Sequence, residues 1–332
     1  GDAPPIKARL PLEKFSDDQL KFVRELGKGN FGKVSLCKLK GVKKEIEVAV
    51  KELKLTGDIT EEKSNEVRNE FILEMRIHDY IIRNMKGENY NIVGLIGVNF
   101  SNEKPMMIQE FIKGGSVDVY LKSLRSAGQT VQEIDVVAFA TQVMKGVSYL
   151  SRIAVIHCDL ACRNVMMSFQ GDKINYKIGD FGLARKIMTP REKELNSSEY
   201  EGLPLVHKDI VLKLPIRWSS PEILNSFKSA DSKSDTWGAT MAIFEFAQNG
   251  VFPWPNCSSI KDAKQFLRKD FSSLTDTVNY SPKPDTISDK LFMILQQTVK
   301  NRAMRITSEN LYTLLRTYVP GDASSVKYKD VN

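Results

Sequence analysis

The sequence is short of cysteine: Cys37, Cys158, Cys162 and Cys257 lie scattered, with no C-x-x-C pair. That excludes a small disulfide-stapled scaffold and predicts reduced, intracellular thiols. Long apolar runs are missing too. The most apolar stretch, Trp237–Ala247 (WGATMAIFEFA), carries Glu245 and falls short of the roughly 18 apolar residues of a spanning helix, so it reads as a buried core helix. No internal repeat and no low-complexity block is present. Charge is not lopsided: 48 basic against 41 acidic residues leave +7, with no dense basic stripe interleaved with aromatics, which argues against nucleic acid as the partner. The chain opens on Gly1 without a charged-then-apolar leader. This predicts a piece of something longer, cytoplasmic, whose membrane attachment, if it has one, comes through flanking regions.

What the sequence does have is ordinary globular composition, 42% hydrophobic and 27% charged over 332 residues. That length suits two domains or one large two-lobed one. Residues 1–19 open with three prolines in GDAPPIKARLPLEKF and read as a linker, and the polar stretch 320–332 reads as a tail. Between them the texture changes once. KFVREL, KVSLCKL and EIEVAV are β-favouring runs separated by the glycine-bearing GKGNFG and KGVKKE, which predicts antiparallel hairpins. Asn65–Asn84 puts Val67, Phe71, Met75, His78 and Ile82 on one helical face. NIVGLIGV and MMIQEFI read as two further strands. Past Gly114 the pattern turns helical, over Glu133–Ser151, around Trp237, over Asp289–Asn301 and over Ser308–Tyr318. The expected fold class is α+β: a small antiparallel β-rich lobe with one helix, about 20–111, and a larger, mainly helical lobe, about 112–319.

Three groups of residues point to chemistry. Leu26–Val34 (LGKGNFGKV) spaces Gly27, Gly29 and Gly32 between two strand-like runs, where backbone N–H groups can approach phosphate oxygens without Cβ obstruction. A dinucleotide-binding turn has similar spacing but needs a helix next, and KVSLCKL continues as a strand. In Val48–Lys51 (VAVK) a lysine follows apolar strand residues, and such an ammonium needs a partner, which Glu74 on the following helix can supply. His157–Asn164 (HCDLACRN) and then Asp180–Arg185 (DFGLAR) provide two aspartates and an asparagine in the order phosphoryl transfer uses: one carboxylate for the hydroxyl proton, an Asn and a second Asp for Mg2+.

In that order these segments resemble a protein kinase catalytic domain, and within that superfamily a tyrosine kinase, from about Leu20 to Val319. Further matches are Ser219–Glu222 (SSPE, in place of a more usual A-P-E), Asp235-Thr236-Trp237 and Arg305. The tyrosine kinase likeness rests on Ala161 two residues after Asp159, Arg163 four after it, and Leu214–Trp218 (LPIRW). The resemblance implies ATP and Mg2+ as cofactors and proteins with an acceptor tyrosine as substrates. It implies that Lys51, paired with Glu74, holds the α and β phosphates, that Asp159 is the base beside Arg163, and that Asn164 and Asp180 hold metal. By the same likeness Val34, Ala49 and Met166 sandwich the adenine, backbone groups of Glu110 and Ile112 bond its edge, and Gln109 stands behind it as gatekeeper. Pro215 and Trp218 would form the substrate platform, Glu222 would pair with Arg305, and Asp235 would brace the catalytic loop.

The departures matter as much. Cys158 stands where most members carry an arginine that receives an activation-segment phosphate, which predicts weak dependence on phosphorylation of that segment, Asp180–Glu222, although Arg185 could still serve. Tyr200, in the acidic NSSEYEG, resembles a phosphorylation site. Ser197, Ser198 and, in the tail, Tyr328 are weaker candidates. His78 reads as a hydrogen-bonded core histidine, His207 as a loop residue and Cys162 as buried and inert. The competing readings are a pseudokinase that serves as an allosteric or scaffolding module, and a serine/threonine kinase.

Overall fold

The computed structural model describes residues 14–41, 43–99, 105–206, 213–268 and 278–320. The linker before residue 14, His207 and Tyr328 lie outside the described residues. The chain divides into two compact units, one comprising residues up to Ile112 together with Ser197–Pro204, the other Lys113–Asn196 and Leu205 onward. The architecture is α+β, with an antiparallel sheet dominating the first unit and helices the second.

In the first unit β1 (Leu20–Lys28), β2 (Gly32–Lys40), β3 (Glu45–Leu53), β4 (Leu95–Asn99) and β5 (Met106–Glu110) form one sheet in the order β1-β2-β3-β5-β4, all neighbours antiparallel. Alternation along the strands sorts the side chains. Cys37, Leu39, Val48, Val50 and Ile108 pack together on one face, with Phe15, Leu20 and Ile46 against them. The register Val34↔Lys51, Leu36↔Ala49 and Ala49↔Gln109 puts Val34, Ala49, Lys51 and Gln109 together on the other.

The helix of this unit, α1 (Glu61–Asn84), starts four residues before the predicted Asn65. Its first turn is polar and invisible to hydrophobic periodicity. Thr60 marks the start, its Oγ1 accepting the backbone N–H of Lys63 at 3.1 Å, with Glu61 and Glu62 beside the positive helix end. Val67, Phe71, Met75, His78 and Ile82 are buried, as the spacing predicts, and each buried aliphatic or aromatic side chain contributes roughly 1.5–3 kcal/mol. The strand predicted from Asn91 begins only at Leu95. Asn91 is left-handed at φ 60°, its N–H goes to Asn89 Oδ1 at 3.0 Å, and the N–H of Gly94 goes to the Glu110 carboxylate at 3.0 Å. Side chains have taken backbone groups that a ladder would need.

The second unit is organised on α6 (Ser232–Ala247), in which every residue from Ser234 to Ala247 is buried. Around it in chain order run α2 (Val117–Ser126), α3 (Glu133–Arg152), the short β6 (Val155–Ile156), the hairpin β7 (Val165–Gln170) and β8 (Lys173–Ile178), β9 (Arg185–Lys186), α4 (Pro190–Leu195), α5 (Pro221–Asn225), α7 (Ile260–Leu267), α8 (Asp289–Gln296) and α9 (Ser308–Thr317). Phe139 of α3 stacks on Phe246 of α6 at 4.3 Å and meets Tyr176 edge-on at 5.1 Å, so aromatic packing fixes α3 against α6 and the β7–β8 hairpin. β6 pairs with β9, which ties the two ends of the catalytic segment together. Helix α8 stops at Gln296, short of the predicted Asn301, where the Thr298 hydroxyl bonds the Leu295 carbonyl at 2.8 Å and Gln297 accepts from the backbone of Ile306.

Candidate active site

The sequence-derived site residues fall into two sets, one in each unit. In the first unit Lys51 Nζ lies 2.7 Å from Glu74 Oε1, with the carboxylate 7% exposed, so the strand lysine has the partner that burial demands. Gly32 must be glycine: a Cβ there would lie 2.7 Å from the Glu52 carbonyl oxygen, blocking the pairing of β2 with β3. The turn before it closes by a bond from Gly29 N–H to the Gly32 carbonyl at 2.8 Å, and Gly27 stands on β1 opposite Val34. At the end of β5 the Glu110 N–H is given to the Gly94 carbonyl at 2.9 Å. Ile112 is buried. His78 Nε2 donates to the Val93 carbonyl at 2.7 Å from a 1% exposed ring, a core histidine as its setting predicts.

In the second unit the loop His157–Asn164 is built almost entirely from hydrogen bonds. His157 is fully buried; its Nδ1 accepts the Asp159 N–H at 3.1 Å and its Nε2 donates to Gly179 O at 2.8 Å, which fixes the tautomer. Phe181 packs edge-on against the same ring at 5.2 Å. Cys158 sits at φ 69° and is held there by Asp235, whose two carboxylate oxygens accept the N–H groups of His157 at 2.6 Å and Cys158 at 3.0 Å. Asn164 donates its amide to the Asp159 carbonyl at 2.8 Å, while its own carbonyl takes the Gly179 N–H at 2.8 Å. This links the loop that carries Asp159 to the residue before Asp180. Asp180 is exposed, at φ 55°, and its Oδ1 accepts the Gly182 N–H at 3.2 Å. Met166 of β7 bridges to Ser116.

The Asp159 carboxyl is pushed above the usual aspartate range by burial, against which the Arg163 charge pulls it down and the Asp180 charge pushes it up. Arg163 ion-pairs with Asp159 and lies over the Trp218 ring at 5.1 Å. Trp218 Nε1 donates to the buried Glu245 at 3.1 Å, and Glu245 also accepts the Cys162 N–H at 2.9 Å. Cys162 has no exposed surface, and its burial, with Glu245 beside it, pushes the thiol well up. The Pro215 carbonyl accepts the Ser219 hydroxyl at 2.8 Å and the Trp218 N–H at 3.0 Å, so Pro215 and Trp218 belong to one turn.

Comparison with known proteins decides the family. The family described as protein tyrosine and serine/threonine kinase matches residues 20–315. The chain belongs to the protein kinase family, as a tyrosine kinase catalytic domain. It is 26% identical over 316 residues to Fer-related kinase 1 of Caenorhabditis elegans, covering 94% of this chain and 70% of that protein. It is 29% identical over 306 residues to Ephrin type-B receptor 4 of Homo sapiens, 92% of this chain and 27% of the receptor. To Tyrosine protein-kinase src-1 of Caenorhabditis elegans it is 32% identical over 242 residues, 72% of this chain and 38% of that protein. The chain therefore spans only part of each of these relatives.

Within the kinase domain, Arg305 Nη1 meets Glu222 Oε1 at 2.6 Å and Nη2 meets Oε2 at 3.1 Å, a bidentate pair with Arg305 2% exposed and over the Trp237 ring. Tyr200 belongs to the first unit, where its ring packs on Tyr80 of α1. Two arrangements escape a motif reading. Lys186, with no exposed surface, pairs with Glu192 at 2.9 Å, and Glu192 is also the reciprocal cap of α4, accepting the Thr189 N–H at 2.8 Å. The T-P-R-E of residues 189–192 is a capping-box signature and could have placed α4. Arg217 donates to the carbonyls of Pro253, Trp254 and Cys257 at 2.9, 2.7 and 2.8 Å, and nothing local in the sequence signals it. Among the described residues no helix is long and apolar enough to cross a membrane.

Proposed function

We propose that this domain transfers the γ-phosphoryl group of ATP to tyrosine hydroxyls of protein substrates. The observation that carries the reading is the Asp159 carboxylate, paired with Arg163 four residues on, with Ala161 rather than a lysine between them and Trp218 beneath the guanidinium. Lys51, oriented by Glu74, holds the α and β phosphates; the glycines at 27, 29 and 32 keep Cβ atoms out of the path of an approaching phosphate; and Val34, Ala49 and Met166 enclose the adenine, with Glu110 and Ile112 at its edge and Gln109 behind it. Asp159 accepts the acceptor's phenolic proton, and Pro215 and Trp218 seat the acceptor.

Asn164 and Asp180 suit Mg2+, a hard cation that takes one or two protein oxygens and keeps waters and phosphate oxygens for the rest. The Asn164 amide nitrogen is spent on Asp159, so oxygen is the atom it offers, and no denser cluster of three ligating side chains occurs among the described residues. When bound, the ion neutralises charge on the phosphates during transfer.

Cys158 packs with Leu183, Ile187 and Val206 against Ile156, Leu214 and Ile223, an apolar contact in place of a phosphate-binding arginine. This supports weak dependence on activation-segment phosphorylation. The domain acts in the cytoplasm, alone or as part of a membrane-attached protein. Phosphatase-treated protein incubated with Mg2+-ATP and a Glu/Tyr copolymer, beside Asp159→Asn, tests the reading. Phosphotyrosine formed by the unmodified protein and lost in the variant supports it; no turnover above the variant favours a scaffolding role, and phosphoserine or phosphothreonine would reassign the acceptor.

A further inference from the structure

We propose that Phe252, in the loop after α6, is a specificity-determining residue for the peptide substrate: it takes an apolar side chain about three residues from the acceptor tyrosine along an extended chain. The proposal rests on the kinase reading and deepens it. Phe252 is 58% exposed and its neighbour Val251 41%, so two adjacent large apolar side chains are left in solvent. A loose backbone is not the cause. The Gln248 amide donates to the Val251 carbonyl at 3.0 Å and to the Phe252 carbonyl at 3.4 Å, and Gln248 Oε1 is itself held by the Tyr280 hydroxyl at 2.6 Å. One residue on, Arg217 takes the carbonyls of Pro253, Trp254 and Cys257. The dipeptide is fixed on both sides, and an aromatic ring held outward on a fixed backbone gives up little freedom when a partner covers it.

Trp218 connects this ring to the site. Phe252 meets Trp218 edge-on with centroids 5.3 Å apart, the Arg163 guanidinium lies over the same Trp218 ring at 5.1 Å, and Arg163 pairs with Asp159. Those two contacts bound the separation of Phe252 from the guanidinium at roughly 10 Å, which an extended peptide advancing about 3.3 Å per residue covers in three residues. Arg217, which pins the Phe252 loop, and Trp218, which seats the acceptor, are consecutive in the turn Ile216–Trp218, so one turn sets the spacing of the two subsites. Continuity with Trp218 names the occupant as the acceptor peptide rather than a second copy of the chain, whose docking there would cover the platform. Against Phe252 and Val251 an apolar residue gains from leaving water, while a charged one would be desolvated without a partner.

The test uses peptides with a single tyrosine, in which each position from five before it to five after carries alanine, leucine or aspartate in turn, and measures kcat and KM for the full chain, F252A, F252L, F252K and I260A. Leucine should be preferred over alanine roughly tenfold in kcat/KM at one position about three residues from the tyrosine. The difference should lie in KM, because a contact remote from the reacting atoms binds ground and transition states alike. F252A should abolish the preference, F252L should keep most of it, and I260A, which removes a similarly exposed apolar side chain on α7, should leave it intact. F252K should turn the preference at that position to aspartate. A preference that survives F252A, one that resides in kcat, or none at any position overturns the proposal. Anisotropy titrations of the same peptides with phenylalanine in place of the tyrosine separate the two readings. Leucine-selective, Phe252-dependent binding by a protein that phosphorylates none of the peptides would keep the recognition and refute the kinase reading; phosphotyrosine formed equally on all of them would do the opposite.

Discussion

Asp235 reaches 77 residues back along the chain to hold Cys158, its Oδ1 accepting the Cys158 N–H at 3.0 Å while Oδ2 takes that of His157 at 2.6 Å. Cys158 is thereby kept at φ 69°, a left-handed conformation a non-glycine residue adopts only under constraint. The catalytic loop is shaped from beneath by a buried carboxylate.

Asp235→Ala should therefore cost more than a surface change. It leaves two donors without their acceptor, at about 1–3 kcal/mol for each that finds no water. Thermal denaturation should show a fall of several degrees, and copolymer phosphorylation should fall with it; an unchanged midpoint would contradict the bracing role.

Glu222 and Arg305 give a pH prediction. Burial alone would raise the Glu222 carboxyl, but the hydrogen bond and charge of Arg305 outweigh it and hold it below the ordinary glutamate range. A depressed carboxyl stabilises the fold above its unfolded value, near pH 4.3, and that contribution is lost as pH falls below it toward the depressed value. Denaturant titrations should show the Glu222→Gln protein less stable by about 3–5 kcal/mol at neutral pH. The gap should narrow below pH 4.

Asp159 has the opposite shift. Its carboxyl is raised, chiefly by burial, and in the proposed role of base it works only when ionised, so the acid limb of kcat should fall above the ordinary aspartate value of about 3.9. Arg163→Ala removes a cation that lowers the carboxyl and should move that limb to higher pH, which a pH–rate profile measures directly.

Cys158→Arg should force a guanidinium into the contact with Leu183, Ile187 and Val206, destabilising the domain by about 1–3 kcal/mol in thermal or chemical unfolding. Phosphatase treatment of the unsubstituted protein should leave most of its rate, measured on the copolymer; loss of nearly all of it would refute the apolar substitute for a phosphate bridge.

Gln109 lies on the face of Ala49 and Lys51. Inhibitors that extend behind the adenine and require a small side chain there should bind weakly, and Gln109→Thr should tighten them by about tenfold or more, equivalent to roughly 1.4 kcal/mol, in a direct binding titration.

Much of the fold was legible along the chain because its signals are local. Short β-favouring runs between glycine-bearing turns marked the strands, and helical spacing picked out the buried stripe of α1. The Lys51–Glu74 pair could be anticipated because an apolar strand cannot carry an unpartnered ammonium. Boundaries were less legible where side chains intervened: Thr60 extended α1, and Asn89 and Glu110 withheld residues 91–94 from β4. The Lys186–Glu192 pair hid because a lysine at the end of β9 and a glutamate in a capping box each have an ordinary local reading.

By itself the sequence determined the order of chemical groups: glycine turn, strand lysine, helix glutamate, loop aspartate with its asparagine, and a second aspartate. Those are properties of residue type and short spacing. Asp235 under Cys158 and Arg305 with Glu222 from 83 residues away were expected only through the family resemblance, and tertiary structure alone decided Arg217 on three carbonyls of the loop after α6 and Tyr200 on α1. The reason is physical. A contact between distant segments is set by which buried surfaces pack and which polar groups they strand, and no single stretch of chain contains both halves of that choice.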